Sequence, residues 1–162
     1  MDVWMHKSEI ELIEKYLKPE YTMLEWGGGG STLHFSKLVS KYYSIEHDTT
    51  WYNNLKKEIP SNVKLYNIPL DIELTFPTIK ECVNTYVEHI SSLDVKRFDA
   101  ILIDGRGRGW CAEKALDYID KESIVFMHDY CLRPNYHIVE QWYTVIESIC
   151  NTPQTIVALR KK

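Results

Sequence analysis

Apolar residues follow two alternating patterns along the chain. Continuous apolar runs predict β-strands at 21–24, 42–45, 63–66, 98–103, 124–127 and 155–159. Between them, apolar residues at helical spacing predict helices at about 8–17, from 31 onwards, at 78–91, after 109 and at 135–149, with a short charged helix at 50–57. This alternation predicts an α/β fold, a doubly wound, mostly parallel sheet with helices on both faces.

Two local signals refine these boundaries. Ser8 and Glu11 have the S-x-x-E spacing of a capping box, so the first helix is predicted to begin at Ser8 and to end before Pro19. Residues 69–77 have no clear period and are predicted to form a loop.

A run of four glycines, 27–30, stands between the first strand and the next helix. Glycine is needed where the backbone approaches a ligand closely or takes a positive φ, and a helix that starts beside the turn presents free N–H groups. Neither phosphate-binding motif fits this turn. A dinucleotide fingerprint would need its third glycine where Thr32 or Leu33 stands, and a P-loop would need a lysine before Lys37. All seven glycines fall in this turn or in 105–109. Glycines that only connect elements would be scattered along the chain, so this clustering indicates two turns with a function.

A carboxylate at the end of the second strand adds to this pattern. Glu46 stands where an acid takes the hydroxyls of a ribose in nucleotide-binding α/β folds. With 25–29, Glu-Trp-Gly-Gly-Gly, and 44–48, Ser-Ile-Glu-His-Asp, the chain resembles the class I S-adenosylmethionine-dependent methyltransferases over about 21–149. The resemblance implies S-adenosylmethionine as cofactor, with Glu25 facing its methionine end directly or through water. It implies a cofactor-binding set of Glu25, Gly27, Gly29, Ser31, Thr32, Glu46, His47 and Asp104.

Two further strands end in polar residues, Asp104 and the pair His128-Asp129. Ligands of such sheets bind at the carboxyl ends of the strands, so these side chains are expected to share one crevice with the glycine turn. The pattern looks like small-molecule and sugar O-methyltransferases, and that resemblance implies Mg²⁺ or Mn²⁺ held by Asp104 and Asp129. Because His128 replaces an acid, a metal-free site with Asp129 or His128 as the base, beside Asp104, stays open.

Cationic and aromatic residues surround the same crevice. Recognition of a polar acceptor is expected from Arg106, Arg108, Tyr130, Arg133 and His137. The sequence therefore predicts methyl transfer to an oxygen of a saccharide or other hydroxylated small molecule. A cofactor-binding module without activity is the alternative, and Thr32 and Leu33 disfavour a nicotinamide-dependent oxidoreductase.

Composition and charge restrict location and partners. The 162 residues suit one domain, 1–162, and a net charge of −4 argues against bulk binding of nucleic acid or an anionic membrane. The sequence has no signal-peptide pattern or membrane-length apolar run, and its four cysteines form no C-x-x-C pair, so free thiols and a cytoplasmic location are expected. The family's sheet ends in a two-stranded antiparallel hairpin, and only 155–159 remains to supply it. We therefore expect a minimal version of the fold, with a homo-oligomer in which a partner subunit supplies the missing strand.

Overall fold

The computed structural model describes residues 1–71 and 79–162. The described helices are α1 (Lys7–Tyr16), α2 (Gly30–Phe35), α3 (Thr49–Leu55), α4 (Asn84–Glu88) and α5 (Arg108–Ala115). The described strands are β1 (Thr22–Trp26), β2 (Lys41–Glu46), β3 (Val63–Asn67), β4 (Ala100–Ile103), β5 (Ile124–His128), β6 (Tyr143–Ile149) and β7 (Ile156–Lys161). Short 3₁₀ segments are Ser36–Leu38, Lys80–Cys82, His89–Ser92, Leu116–Tyr118 and Pro134–Gln141.

The strands form one seven-stranded sheet in the order β3-β2-β1-β4-β5-β7-β6. Strands β1 to β5 are parallel, and β7 runs antiparallel to both β5 and β6. The predicted doubly wound, mostly parallel α/β fold is therefore confirmed.

Both faces of the sheet are covered, which explains the continuous apolar runs. Leu24 and Ile101 pack in a cluster with residues of α4 and α5, whereas Met23 and Leu102 pack in a second cluster with residues of α1 and α2. Successive residues of a strand point to opposite faces, so a central strand between two helical layers must be apolar at every position.

The first helix begins earlier than predicted. His6 is the N-cap: its Nδ1 accepts from the Ser8 backbone N–H, and the Glu9 carboxylate accepts from the His6 N–H at 2.9 Å. The predicted pair of Ser8 and Glu11 is wrong because Glu9 is completely buried and already held in place by internal partners, whereas Glu11 pairs with Lys7 on the surface.

The last predicted helix, 135–149, is mostly a strand. Only Pro134–Gln141 is helical, as a 3₁₀ segment, and Tyr143–Ile149 pairs with β7. The apolar spacing satisfies a helical period, but Val145, Ile146 and Ile149 are β-branched and favour the strand. The final hairpin is therefore present, the minimal fold is wrong, and the missing-strand reason for a homo-oligomer disappears.

Two other helices are shorter than the sequence predicted. The helix that follows the glycines stops at Phe35, and Tyr42, which continued its apolar stripe, belongs to β2. The predicted helix 78–91 divides at Val83 into the 3₁₀ segment Lys80–Cys82 and α4. Its predicted start at Thr78 and most of the predicted loop 69–77 lie outside the described residues.

The cysteines differ from the expected four free thiols. Cys131 and Cys150 form a disulfide, while Cys82 and Cys111 are free and buried. The bonded pair is 19 residues apart and is brought together because the loop after β5 lies beside the end of β6, which sequence spacing does not reveal.

The cytoplasmic location stays a prediction. None of the described helices is both long and apolar enough to cross a bilayer.

Candidate active site

A pocket of about 480 Å³ opens at the carboxyl ends of β1, β2, β4 and β5. This is the edge at which open α/β sheets bind ligands. Most of the predicted site residues line it, namely Gly27, Gly29, Ser31, Glu46, His47, Asp104, Arg106, Arg108, His128, Asp129 and Arg133. Three of the four polar strand ends, at Glu46, Asp104 and His128-Asp129, therefore form one crevice with the glycine turn.

The glycine turn packs directly against the second glycine turn. Gly27 has φ +96°, and a Cβ there would lie 2.5 Å from the Gly105 nitrogen. From the other side, the indole N–H of Trp51 donates to the Gly28 carbonyl at 2.7 Å, and a Cβ on Gly29 would meet that nitrogen at 3.1 Å. Glycine is required at Gly27 by both its conformation and its neighbour.

Glu25 lies beneath the turn rather than in the pocket. Its carboxylate is completely buried and accepts hydrogen bonds from the hydroxyls of Ser31, Thr32 and Ser44. Burial raises the pKa of Glu25 to about 8, although the bonds from Ser31 and Thr32 act in the opposite direction. Glu25 and Thr32 therefore fix the start of α2 on β1, while Ser31 reaches the pocket wall.

Glu46 is positioned as the sequence predicted, at the pocket end of β2. Its side chain is almost completely buried, and its Oε1 accepts from the Asp48 backbone N–H at 2.6 Å. His47 Nδ1 lies 3.0 Å from the same oxygen, and Asp48 caps α3 by accepting from the Trp51 N–H. The carboxylate is thus held in one orientation beside the glycine turn, as a ribose-binding acid must be.

Arg108 connects the ends of β4 and β5. Its guanidinium Nη2 lies 3.4 Å from Asp104 Oδ1 and 3.0 Å from Asp129 Oδ2. The same group donates from Nε to the Gly105 carbonyl and from Nη1 to the His128 carbonyl. Because Arg108 is only 9% exposed and its guanidinium contacts two carboxylates, it holds the strand ends together, whereas the sequence predicted that it would recognise an acceptor.

This arrangement does not fit the predicted divalent metal. A metal between Asp104 and Asp129 would occupy the space in which Arg108 contacts both carboxylates. Within 1–71 and 79–162, no cluster of three or more His, Cys, Asp or Glu side chains is suited to hold a metal ion. The repulsion between the Asp104 and Asp129 carboxylates is relieved by the Arg108 guanidinium instead of a metal ion. Arg108 is the first residue of α5 and reaches back across the second glycine turn to Asp104, four residues earlier.

His128 is enclosed by acids on both ring nitrogens. Nδ1 lies 2.8 Å from Asp104 Oδ1, and Nε2 lies 3.3 Å from Glu9 Oε2. Burial alone would lower the pKa of His128, but the hydrogen bond and charge of Asp104, with Asp129 and Glu9, raise it overall. Each ring nitrogen faces a carboxylate oxygen, so neither nitrogen is free to accept a proton from an acceptor hydroxyl, which argues against His128 as the base.

Glu9 belongs to the site, although the sequence gave it no role. Its carboxylate also accepts from the Thr152 hydroxyl, and burial, which would raise its pKa, is outweighed by the hydrogen bonds from Thr152, His6 and His128. Glu9 therefore anchors His128 from the side opposite the pocket. Nothing local marks this role, because His128 and Thr152 lie far from Glu9 in the sequence.

Asp129 is the more exposed residue of the pair at the end of β5, with 21% of its side chain exposed against 4% for His128. Its φ of +58° is uncommon for a residue with a side chain, and such backbone strain is concentrated at functional positions. Arg108 and Arg133 both contact Oδ2, at 3.0 and 3.2 Å. In the described part of the chain, Oδ1 is the oxygen left for an acceptor.

Two predicted acceptor residues lie elsewhere. Tyr130 is buried, stacks on the His137 ring at 4.5 Å and donates to Glu140. Neither Tyr130 nor His137 lines the pocket, because the 3₁₀ segment Pro134–Gln141 turns both toward each other. The predicted contact of these two residues with an acceptor has no support in the geometry.

The N-terminal segment also lines the pocket, which the sequence did not suggest. Asp2, Trp4 and Met5 contribute to the wall, and the Trp4 ring lies 5.5 Å from that of Trp51. These residues precede the first predicted helix and belong to no motif. The signal available in the sequence was a tryptophan, Trp4, in the short segment before the first predicted helix.

Solved structures share this architecture. The methyltransferase-like protein of Silicibacter pomeroyi DSS-3 is 22% identical, with a TM-score of 0.73 over 99% of this chain and 89% of its own. The tRNA (m1A58) methyltransferase of Aquifex aeolicus is 16% identical, with a TM-score of 0.72 over 100% of this chain and 71% of its own. The precorrin-6y C5,15-methyltransferase of Geobacter metallireducens GS-15 is 17% identical, with a TM-score of 0.67 over 98% of this chain and 90% of its own.

Sequence comparison adds nothing to this likeness, since no family model and no curated protein matches the chain. The likeness extends over nearly all of this chain, which includes the seven-stranded, mostly parallel sheet and its flanking helices. The chain therefore has the Rossmann-like fold of the class I methyltransferases.

Proposed function

We propose that this protein is an S-adenosylmethionine-dependent methyltransferase that acts on an oxygen of a hydroxylated acceptor, a class that includes saccharides. One observation carries the proposal. The glycine turn, the Glu46 carboxylate and the strand-end acids Asp104 and Asp129 line a single pocket at the ligand-binding edge of a methyltransferase-like sheet.

The pocket offers groups suited to each part of the cofactor. Gly27 and Gly29 allow the backbone to approach the methionine end, supported from below by Glu25, and Glu46 is placed to accept from the ribose hydroxyls. S-adenosylmethionine supplies a methyl group on a sulfonium sulfur: an acceptor oxygen forms the new C–O bond with its lone pair, the C–S bond breaks and its electron pair stays on sulfur.

The acceptor hydroxyl must lose its proton, and we assign that proton to Asp129. Its Oδ1 has no partner among the described residues, whereas its Oδ2 is fixed by Arg108 and Arg133. His128 is excluded by its two carboxylate neighbours, and Asp104 already accepts from His128 and Arg108. The arginines position Asp129 and limit the negative charge in the pocket.

The cofactor is tested by calorimetry with S-adenosylhomocysteine, the product of transfer. Replacement of Glu46 by Ala removes the charged acceptor for the ribose, where each hydrogen bond contributes about 1.5–3 kcal/mol. Affinity should therefore fall by about 10-fold to 100-fold or more for Glu46→Ala. Glu20→Ala, on an exposed segment before β1, is the matched control and should bind normally. Unchanged binding by Glu46→Ala would refute the ribose placement.

A second candidate, a cofactor-binding module without activity, is favoured by the ion pairs that occupy Asp129 Oδ2. The two functions differ in what Asp129→Asn does. A base contributes about 10²–10⁴ in rate, so the enzyme should lose that much methyl transfer while it keeps S-adenosylhomocysteine affinity. Transfer measured by mass spectrometry that stays at the wild-type rate would remove Asp129 from this role.

A further inference from the structure

A second cavity, of about 470 Å³, lies beside the cofactor pocket. It is formed by the start of α5 and by Pro134–Gln141, and we call it the aromatic groove. Its walls include Trp110, Tyr136 and Trp142. Gly105, Arg106, Arg108 and Arg133 line both cavities, so a molecule in the groove would reach the pocket without crossing solvent.

The arginines at the boundary between the two cavities differ in whether a carboxylate pairs with them. Arg108 is paired with Asp104 and Asp129, and Arg133 is paired with Asp129. Arg106 is exposed, and within the part of the chain that the structure describes no carboxylate lies at ion-pair distance from it. Arg106 therefore offers the groove a cation that no carboxylate of the described residues neutralises.

The rest of the groove is suited to a flat apolar body. The guanidinium carbons of Arg108 and Arg133 lie 5.8 and 5.7 Å from the centre of the Tyr136 ring, which holds that ring in place. Asn135 and Glu113 are the other polar side chains of the lining. A saccharide would need several converging donors and acceptors for its hydroxyls, whereas an aromatic ring needs the stacking surface that is present.

We propose that the aromatic groove takes an aromatic acid that bears a ring hydroxyl, with its carboxylate on Arg106 and its hydroxyl directed toward Asp129. The proposal rests on the proposed function and narrows its acceptor to one class. Arg133 joins the two regions, because its guanidinium lies 3.2 Å from Asp129 Oδ2 and 3.4 Å from the Tyr136 hydroxyl. Glu113, the acid of the lining, should favour ligands whose anionic end points away from it.

The test compares three probes by calorimetry, with the protein saturated by S-adenosylhomocysteine. These are 3,4-dihydroxybenzoate, the neutral ring catechol and the acidic sugar glucuronate. We expect 3,4-dihydroxybenzoate to bind at least about tenfold more tightly than either of the others, since it alone uses both the ring surface and a charge-assisted bond to Arg106. Equal or tighter binding of catechol or glucuronate would overturn the proposal.

A matched pair of variants locates the binding. Ile138→Glu puts a carboxylate on an exposed groove position, and Leu132→Glu puts one on an equally exposed apolar position outside the groove. Ile138→Glu should reduce 3,4-dihydroxybenzoate affinity at least about fivefold more than Leu132→Glu does, because like charges repel in the groove. Equal effects of the two variants would refute the location.

Titration with S-adenosylhomocysteine distinguishes a failure of the proposed function from a failure of the aromatic-acid proposal. If wild-type protein does not bind S-adenosylhomocysteine, the proposed function fails. If it binds the cofactor product normally but methylates glucuronate or another sugar and not 3,4-dihydroxybenzoate, the proposed function stands and the aromatic-acid acceptor is wrong. Arg106→Gln adds a third check, since it should remove the preference for the acid over catechol, and a preference retained in this variant would refute the placement of the carboxylate on Arg106.

Discussion

Arg108 is expected to stabilise the fold more than any surface arginine, and Arg108→Met tests this. The substitution keeps an unbranched side chain but removes the guanidinium that contacts Asp104, Asp129 and two backbone carbonyls. Removal of one partner from a buried ion pair costs about 3–5 kcal/mol. Because the side chains of Asp104 and Asp129 are 22% and 21% exposed, water can partly compensate them, and we expect a loss near about 3 kcal/mol.

That loss is large enough to measure in a chain of 162 residues. It corresponds to a fall in melting temperature of about 6–12 °C for a protein of this size. In urea, with a slope of about 1–3 kcal/mol/M, the unfolding midpoint should fall by about 1–3 M. Circular dichroism during thermal and urea unfolding gives both values.

Arg106→Met is the matched control, because it makes the same chemical change in the same turn at an exposed position. It should change the free energy of unfolding by no more than about 0.5 kcal/mol. Equal melting temperatures for Arg106→Met and Arg108→Met would refute the bridging role. A rise in the wild-type melting temperature with Mg²⁺ or Mn²⁺, absent after Asp104→Asn, would restore the metal that the Arg108 contacts argue against.

Two further predictions concern the glycine turn and the carboxylate beneath it. Gly27→Ala should cost more than about 1 kcal/mol of unfolding free energy, because the residue has φ +96° and its Cβ would strike Gly105. Gly109 lies within α5, and the nearest atom to a Cβ placed on it, Ile138 Cγ2, is 3.8 Å away. Gly109→Ala should therefore be neutral or stabilising in the same urea assay. Similar losses of stability in both variants would contradict the steric argument. Burial raises the pKa of Glu25 to about 8, so its contribution to stability is complete below the unfolded value of 4.5 and is lost as pH rises toward 8. The free energy of unfolding of wild type should therefore fall relative to Glu25→Gln by up to about 1.4 kcal/mol per pH unit in that interval, and parallel pH profiles would show that Glu25 is not neutral in the fold.

Most of the fold could be predicted because its signals are local. The apolar run that includes β4 can be identified from consecutive residues, and so can the acids near the ends of β1 and β2. That these acids lie at the ligand-binding edge follows only from the sheet being parallel. Strand β6 was missed for a physical reason. Its apolar spacing fits a helix as well as a strand, and the decision comes from pairing with β7.

The site was predicted where residues follow strands and missed where long-range contacts decide. Glu46 and Asp129 reach the pocket because strand ends must converge. Glu9, by contrast, reaches His128 from a helix 119 residues earlier, and no local pattern reports that contact. The charge of Arg108 was visible, but whether it faces solvent or two carboxylates depends on the angle at which α5 leaves β4.

The contact between Gly27 and Gly105 also sets a rule for engineering this protein. A library that changes the residues facing the aromatic groove can vary Arg106 and Trp110, but it must leave Gly105 fixed, together with Gly107, which has φ +62°, and the bridging Arg108. A Cβ on Gly105 would strike the Tyr86 hydroxyl and lie 3.0 Å from the Gly27 nitrogen. Loops grafted from another protein must therefore match the glycine turn as well as the groove, and the two turns should be exchanged as a single cassette.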